Sequence, residues 1–278
     1  MNRSILAVCL LAACLAILAV APASSSAWAP AAKATVHPGV QTYTAGAQCT
    51  ANFIFSDAAG TYIGQAAHCA GTGAATETDG CDARSRPLGT SVEIDGATRP
   101  GKLVYSSWRT MQAKRETNPN ACAYNDFALV RIAPADVAKV NPSVPGYGGP
   151  VGVGGPSARG DSVFSYGNSS LRLGVTFLSP KEGVVVETEG NGWSRTVYTV
   201  IPGIPGDSGS GFLNDTGGAI GTLSTVAILP APASNGVGDL ARELNYMRAH
   251  SSFSGVRLVK GTRPFTPDTV GAIIEGAG

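Results

Sequence analysis

The sequence predicts an all-β protein organised as two β-rich halves. Short apolar runs bounded by turn residues recur along the whole chain, as strands with tight connections do. Glycine (36) and proline (18) are abundant among the 278 residues. Helical periodicity with a capping residue is confined to 239–250, where Asp239 precedes Leu240, Leu244 and Met247 on one face. A chain of this length, 44% hydrophobic and only 14% charged, can bury one large core or two small ones. Its formal net charge of +1 gives no electrostatic footprint for nucleic acid or for an anionic membrane.

The N-terminus reads as an export signal over residues 1–29. Arg3 is followed by an apolar run over 5–21, then by small residues with A-x-A patterns at Ala21-Pro22-Ala23 and Ala27-Trp28-Ala29. Cleavage is expected between 23 and 29. The run is short for a membrane span, and Cys14 lies inside it, where a lipoprotein cysteine would stand at its end. The expected product is an extracellular, monomeric protein with no stable membrane association. Removal of the signal takes Cys9 and Cys14 and leaves Cys49, Cys69, Cys81 and Cys122. Four cysteines in an exported chain read as disulfides, with three pairings open. With no C-x-x-C pair, no metal site and no cofactor is expected.

The first half spans 40–140. Residues 49–55 and 61–64, separated by Asp57-Ala58-Ala59-Gly60, read as a hairpin. Further strands are expected at 91–94, 101–106 and 126–132. Residues 141–160, rich in Gly and Pro, read as a linker. The second half, 161–278, carries strand candidates at 162–166, 171–178, 183–188, 195–200, 211–213 and 219–228, then the helix and a tail with one apolar run at 256–259.

Three residues stand in unusual local settings. Ser208 lies in Gly203-Ile204-Pro205-Gly206-Asp207-Ser208-Gly209-Ser210-Gly211, where glycines permit a tight turn that aims backbone N–H groups inward. The chain has three histidines. His37 sits in a Pro/Gly-flanked stretch, and His250 ends the helix, where a cation suits the dipole. His68 has no such explanation: it follows an apolar strand in Gly64-Gln65-Ala66-Ala67-His68-Cys69, with Cys69 able to anchor it. Asp126 opens the apolar run Phe127-Ala128-Leu129-Val130, and a buried acid there needs a partner such as an imidazole N–H. A serine, a base near neutral pKa and an orienting carboxylate together make a nucleophile that works at neutral pH.

Ala66-Ala67-His68-Cys69, Asp126-Phe127-Ala128-Leu129 and Gly206-Asp207-Ser208-Gly209 resemble the three signature segments of the chymotrypsin-like (trypsin-family) serine peptidases, in that family's order. The resemblance implies two antiparallel six-stranded β-barrels with the three residues in the cleft between them, and a serine endopeptidase acting on proteins or peptides. It implies an oxyanion hole from the N–H groups of Gly206 and Ser208. It also implies a Cys49–Cys69 disulfide, which leaves Cys81 and Cys122 for each other. A specificity pocket is expected at Pro202, Gly203, Ser224, Thr225 and Val226, also lined by Ile204. With no acid or histidine there, small or medium apolar side chains are the expected preference. Ser224 is the expected support for the catalytic acid.

The chain departs from the family at Ser210, where a glycine is common, and in lacking an Ile-Val-Gly-Gly-like start. Asp207 then needs another partner, an arginine or backbone donors. The resemblance is closer to secreted bacterial members than to animal zymogens. Two other readings stay open: a secreted serine esterase, and a silent protease-fold binding module. The esterase reading fits poorly, because Ser208 is late in the chain and Met247, not an acid, stands three residues before His250.

Overall fold

A computed structural model describes residues 28–74, 77–226 and 232–276; the expected signal run with Cys9 and Cys14, and the end of the run 219–228, lie outside the described residues. Among the described residues no helix is long and apolar enough to cross a membrane.

The first half holds β1 (Gln41–Thr44), β2 (Ala47–Thr50), β3 (Ile54–Asp57), β4 (Gly60–Gln65), β5 (Ser91–Ile94), β6 (Gly101–Ser106), helices α1 (Ser107–Lys114) and α2 (Pro119–Tyr124), and β7 (Ala128–Arg131). A hairpin forms between β3 and β4, with Ile54 opposite Ile63 and Asp57 opposite Gly60, but the expected strand 49–55 is split between β2 and β3. The Asp57 carboxylate closes its turn by accepting the N–H groups of Ala59 and Gly60. Strands order as β3-β4-β7-β6-β5-β1-β2, all antiparallel. Ile54, Ile63, Leu103, Val130 and Val92 fill the interior. Ala29 is already tied in, its N–H donating to the Val140 carbonyl at 2.9 Å.

After β7 come a 3-10 helix (Pro134–Lys139) and a stretch whose one strand is β8 (Gly152–Val153). The second half then holds β9 (Ser162–Tyr166), β10 (Pro180–Glu189), β11 (Ser194–Thr199), β12 (Gly211–Asn214), β13 (Gly218–Val226) and β14 (Asn235–Asp239). Strands β9-β10-β11-β14-β13-β12 form a six-stranded barrel that closes by pairing β12 with both β9 and β13. Val163, Val185, Val197, Phe212, Ile220, Leu223 and Val237 pack inside it.

Helix α3 (Leu240–His250) has the predicted bounds, and Asp239 caps it by accepting the Arg242 N–H at 2.8 Å. Its apolar face does not pack on its own barrel alone. Leu240, Leu244 and Met247 join Phe53, Phe55, Tyr62, Tyr105 and Phe127 of the first half in one core that also takes Phe164 and Leu213. The tail returns to the first half, where β15 (Arg257–Leu258) pairs with β3, and it ends in α4 (Thr269–Gly276). Helix and tail thus bind the two halves together, which fixes the cleft between them.

The all-β class with a C-terminal helix is what the structure shows. One expected strand does not form. Residues 171–178 contain two short 3-10 turns, Ser170–Arg172 and Thr176–Leu178, with Leu173 at φ 53° and Gly174 at φ 79° between them. Left-handed backbone cannot continue an extended strand. The apolar side chains that suggested one, Leu171, Leu173 and Phe177, are exposed. Helices α1, α2 and α4 were not expected, although Asn118 capping Ala121 with Pro119 at the first helical position is a readable start signal for α2.

Candidate active site

His68 sits in a 3-10 turn, Ala67–Ala70, directly after β4. Two ties hold that turn. Cys69 is bonded to Cys49 of β2, and the other two cysteines form Cys81–Cys122, as expected. The cysteines near His68 and near Asp79 are therefore spent in disulfides and offer no thiolate to a metal. The second tie is Asp126. Its Oδ1 accepts the His68 backbone N–H at 2.8 Å, and its Oδ2 lies 2.6 Å from His68 Nδ1. One carboxylate thus fixes both the backbone and the ring, and among the described residues Nε2 has no hydrogen-bond partner. Ser224 donates its hydroxyl to the same Oδ2.

Burial alone would lower the His68 pKa, but attraction to the Asp126 carboxylate and their hydrogen bond outweigh it, so the pKa is raised. Asp126 shows the counterpart: burial pushes its pKa up, but the charge and hydrogen bond of His68, with help from Ser224, bring it below the ordinary value.

Ser208 comes from the other half, on the loop between β11 and β12, and the loop is fastened across the cleft. The Ser208 carbonyl accepts the Thr50 N–H at 2.8 Å, and the Gly206 carbonyl accepts the Thr50 hydroxyl at 2.8 Å and Gln48 Nε2 at 3.0 Å. Gly209, at φ 89°, faces β2 so closely that a Cβ would lie 2.5 Å from the Thr50 carbonyl oxygen. Only glycine meets both conditions. Among the described residues the N–H groups of Gly206 and Ser208 donate to no protein acceptor.

Asp207 is fully buried beneath this loop. Its Oδ2 pairs with Arg172 Nη2 at 2.6 Å and Lys181 Nζ at 3.1 Å, while the N–H groups of Ser169 and Ile204 donate to its two oxygens. The arginine and the backbone donors match expectation. Lys181 was missed; nothing in its local sequence marks it. Burial, opposed by the nearby Asp207 charge, brings the Lys181 ammonium down to about 8.

His68, Asp126 and Ser208 line one cleft of about 560 Å³. Gly203, Ile204, Ser224, Thr225 and Val226 of the expected pocket line it too. Pro202 does not: its carbonyl turns away to accept Arg172 Nη2 at 3.1 Å. Beneath the pocket lies a residue that sequence reasoning missed, Asn235 at the start of β14. Its buried amide accepts the Gly203 N–H at 2.8 Å and donates to the carbonyls of Gly203 and Thr225, joining the two walls.

A double β-structure whose cleft is lined by a histidine–carboxylate pair and by a serine is the architecture of a chymotrypsin-type serine hydrolase. The trypsin-like peptidase domain matches residues 49–221, and the chain belongs to that family; it is a serine endopeptidase. Among solved structures the chain is similar to Protease A of Thermobifida fusca, with 18% identity, a TM-score of 0.51, and coverage of 81% of this chain and 99% of that one. It is also similar to a glutamic acid-specific serine protease that uses a histidine triad in substrate binding, with 17% identity, a TM-score of 0.50, and coverage of 81% and 100%. At these identities the likeness speaks to the fold. No curated protein matches the chain.

Proposed function

We propose that the protein is a secreted serine endopeptidase in which Ser208 is the nucleophile, His68 the general base and Asp126 the orienting acid. The observation that carries this reading is the double hold of Asp126 on His68, at 2.8 Å through the backbone and 2.6 Å through Nδ1. With Nδ1 committed, Nε2 takes the Ser208 Oγ proton as Oγ attacks the scissile carbonyl carbon. The tetrahedral oxyanion is met by the N–H groups of Gly206 and Ser208. The imidazolium then passes its proton to the leaving amine, the acyl-enzyme forms, and water reverses the sequence to free the acid.

Export is supported by the signal-like run before Ala29 and by the pair of disulfides. For the substrate, the pocket walls 203–206 and 223–226 carry no charged side chain, and Asn235 joins them with a neutral amide. Small or medium apolar side chains fit such a site. Labelling of the mature protein with a fluorophosphonate, with Ser208→Ala as control and casein and simple esters as substrates, tests the reading. Label on Ser208 with casein cleavage is expected. An unlabelled, inert protein would return it to a binding module, and ester cleavage alone would make it an esterase.

A further inference from the structure

Glu243, in the first turn of α3, is fully buried directly behind Asp126. Its Oε1 accepts the backbone N–H of Asp126 at 3.3 Å, and its Oε2 shares a hydrogen bond with the Thr222 hydroxyl of β13 at 3.1 Å. Thr222 is in turn reached by the Asn52 side-chain amide at 3.4 Å. The space for the carboxyl is kept by Gly238 of β14, where a Cβ would lie 2.6 Å from Oε1. One side chain on the C-terminal helix therefore touches β13, β14 and the segment that presents Asp126.

The charged surroundings are wrong for a carboxylate. Among the described residues no lysine, arginine or histidine forms an ion pair with Glu243. The groups that face it are the carboxylates of Asp126 and Asp239 and the buried phenol of Tyr105 on β6. Arg195 of β11, the nearby cation of the barrel, is committed to Asp239 and to the Ile220 carbonyl. Burying a charge without a partner is far more costly than burying a hydrogen-bonded neutral acid. Burial, reinforced by the charge of Asp126, raises the Glu243 pKa well above the ordinary 4.5.

We propose that Glu243 is a positioning residue for the Asp126–His68 pair, held as a neutral carboxylic acid whose Oε1 seats the Asp126 N–H. The inference rests on the reading of Asp126 as the orienting acid. A neutral acceptor fixes the backbone of Asp126 without placing a second negative charge behind the carboxylate that faces His68. It also makes α3 a direct support of the site, in addition to packing the two halves together.

Two measurements test this. The first is equilibrium unfolding between pH 4 and 8 of the protein and of its Glu243→Gln variant, both on a Ser208→Ala background to prevent self-digestion. An unfolded glutamate ionises near 4.5, while on this proposal the folded one keeps its proton to higher pH. The stability attached to the proton is thus complete below 4.5 and is lost as pH rises towards the folded pKa. Relative to Glu243→Gln, the unfolding constant should rise about tenfold per pH unit above 4.5. A pH-independent ratio would mean an ionised Glu243 and would overturn the proposal.

The second uses the active enzyme. Glu243→Gln should keep kcat and the acid limb of kcat/KM, because neutral acid gives way to neutral amide. Glu243→Leu should lower kcat about tenfold with KM unchanged, as the N–H of Asp126 loses its acceptor. An acid limb displaced downward by about half a unit or more in Glu243→Gln would show that a charge had been removed and would sink the idea. Full kcat in Glu243→Leu would sink the positioning role. If Glu243→Leu does not fold, the Glu243→Gln profile still decides. Absence of fluorophosphonate label on the parent enzyme would instead count against the peptidase reading, and the unfolding experiment does not depend on it.

Discussion

Arg172 Nη2 stands 2.6 Å from Asp207 Oδ2, with the arginine side chain 8% exposed and the aspartate 0%. This buried pair underlies the loop that carries Gly206 and Ser208, both of which line the cleft, and Lys181 completes it from β10. Asp207 is thus paired by two cations of the same half of the chain, one from the 3-10 turn at 170–172 and one from β10.

Arg172→Leu should therefore act on both stability and rate. Breaking a buried pair by removing one partner costs about 3–5 kcal/mol. The remaining Lys181 contact places the expected loss near the lower end, about 3 kcal/mol. Turnover should fall by about tenfold or more with KM little changed, because the displaced donors act mainly on the oxyanion. Denaturant unfolding and steady-state kinetics check both numbers.

The raised pKa of His68 has a definite sign for activity. The base must be neutral to take the Ser208 proton, so activity is lost as pH falls through the His68 pKa, and the acid limb of kcat/KM should lie above the ordinary 6.5. Asp126→Asn removes the charge that overcomes burial, so its acid limb should move below that of the parent enzyme. Its kcat should drop by about four orders of magnitude. A pH–rate profile of each protein is sufficient.

Asn235→Ala should loosen the pocket. It strips the Gly203 N–H and the Gly203 and Thr225 carbonyls of their partner, at about 1–3 kcal/mol for each buried group left unpaired. A peptide-library cleavage profile should widen from small apolar side chains towards larger ones such as Leu and Phe. An unchanged profile would mean that the walls are set elsewhere.

The two disulfides should separate in their effects. They close loops of 20 and 41 residues' separation. Chain entropy then predicts stability losses of roughly 3 and 4 kcal/mol when each is replaced by alanines. Cys69 adjoins His68 on the same turn, so loss of Cys49–Cys69 should also reduce kcat. Loss of Cys81–Cys122, which adjoins no triad residue, should leave kcat of the folded fraction nearly unchanged. Thermal unfolding paired with active-site titration distinguishes the two.

Much of the fold was legible locally. Strands at Ser91–Ile94, Gly101–Ser106 and Ser162–Tyr166 fall where alternation and turn residues placed them, and α3 has the bounds implied by Asp239. The misread run at 171–178 shows the limit of that signal: apolar residues beside Gly174 look like a strand, but no neighbouring strand pairs with them. Helix α1 escaped notice because its exposed face and single turn of buried residues, Trp108 and Met111, give little periodicity in eight residues.

What the sequence determined by itself was the identity of the reactive segments and their order along the chain. His68, Asp126 and Ser208 each stand in a run of residues whose small size or apolar flank has a local cause, and local causes can be read from neighbours in the chain. Only the tertiary structure decided what supports them. Lys181 meets Asp207, Asn235 ties Gly203 to Thr225, and Glu243 lies behind Asp126, 117 positions away in the chain. Such contacts leave no periodicity or turn signature. They exist because barrel closure, and the return of α3 and the tail to the first half, bury polar groups that must then find partners wherever the packing has brought them.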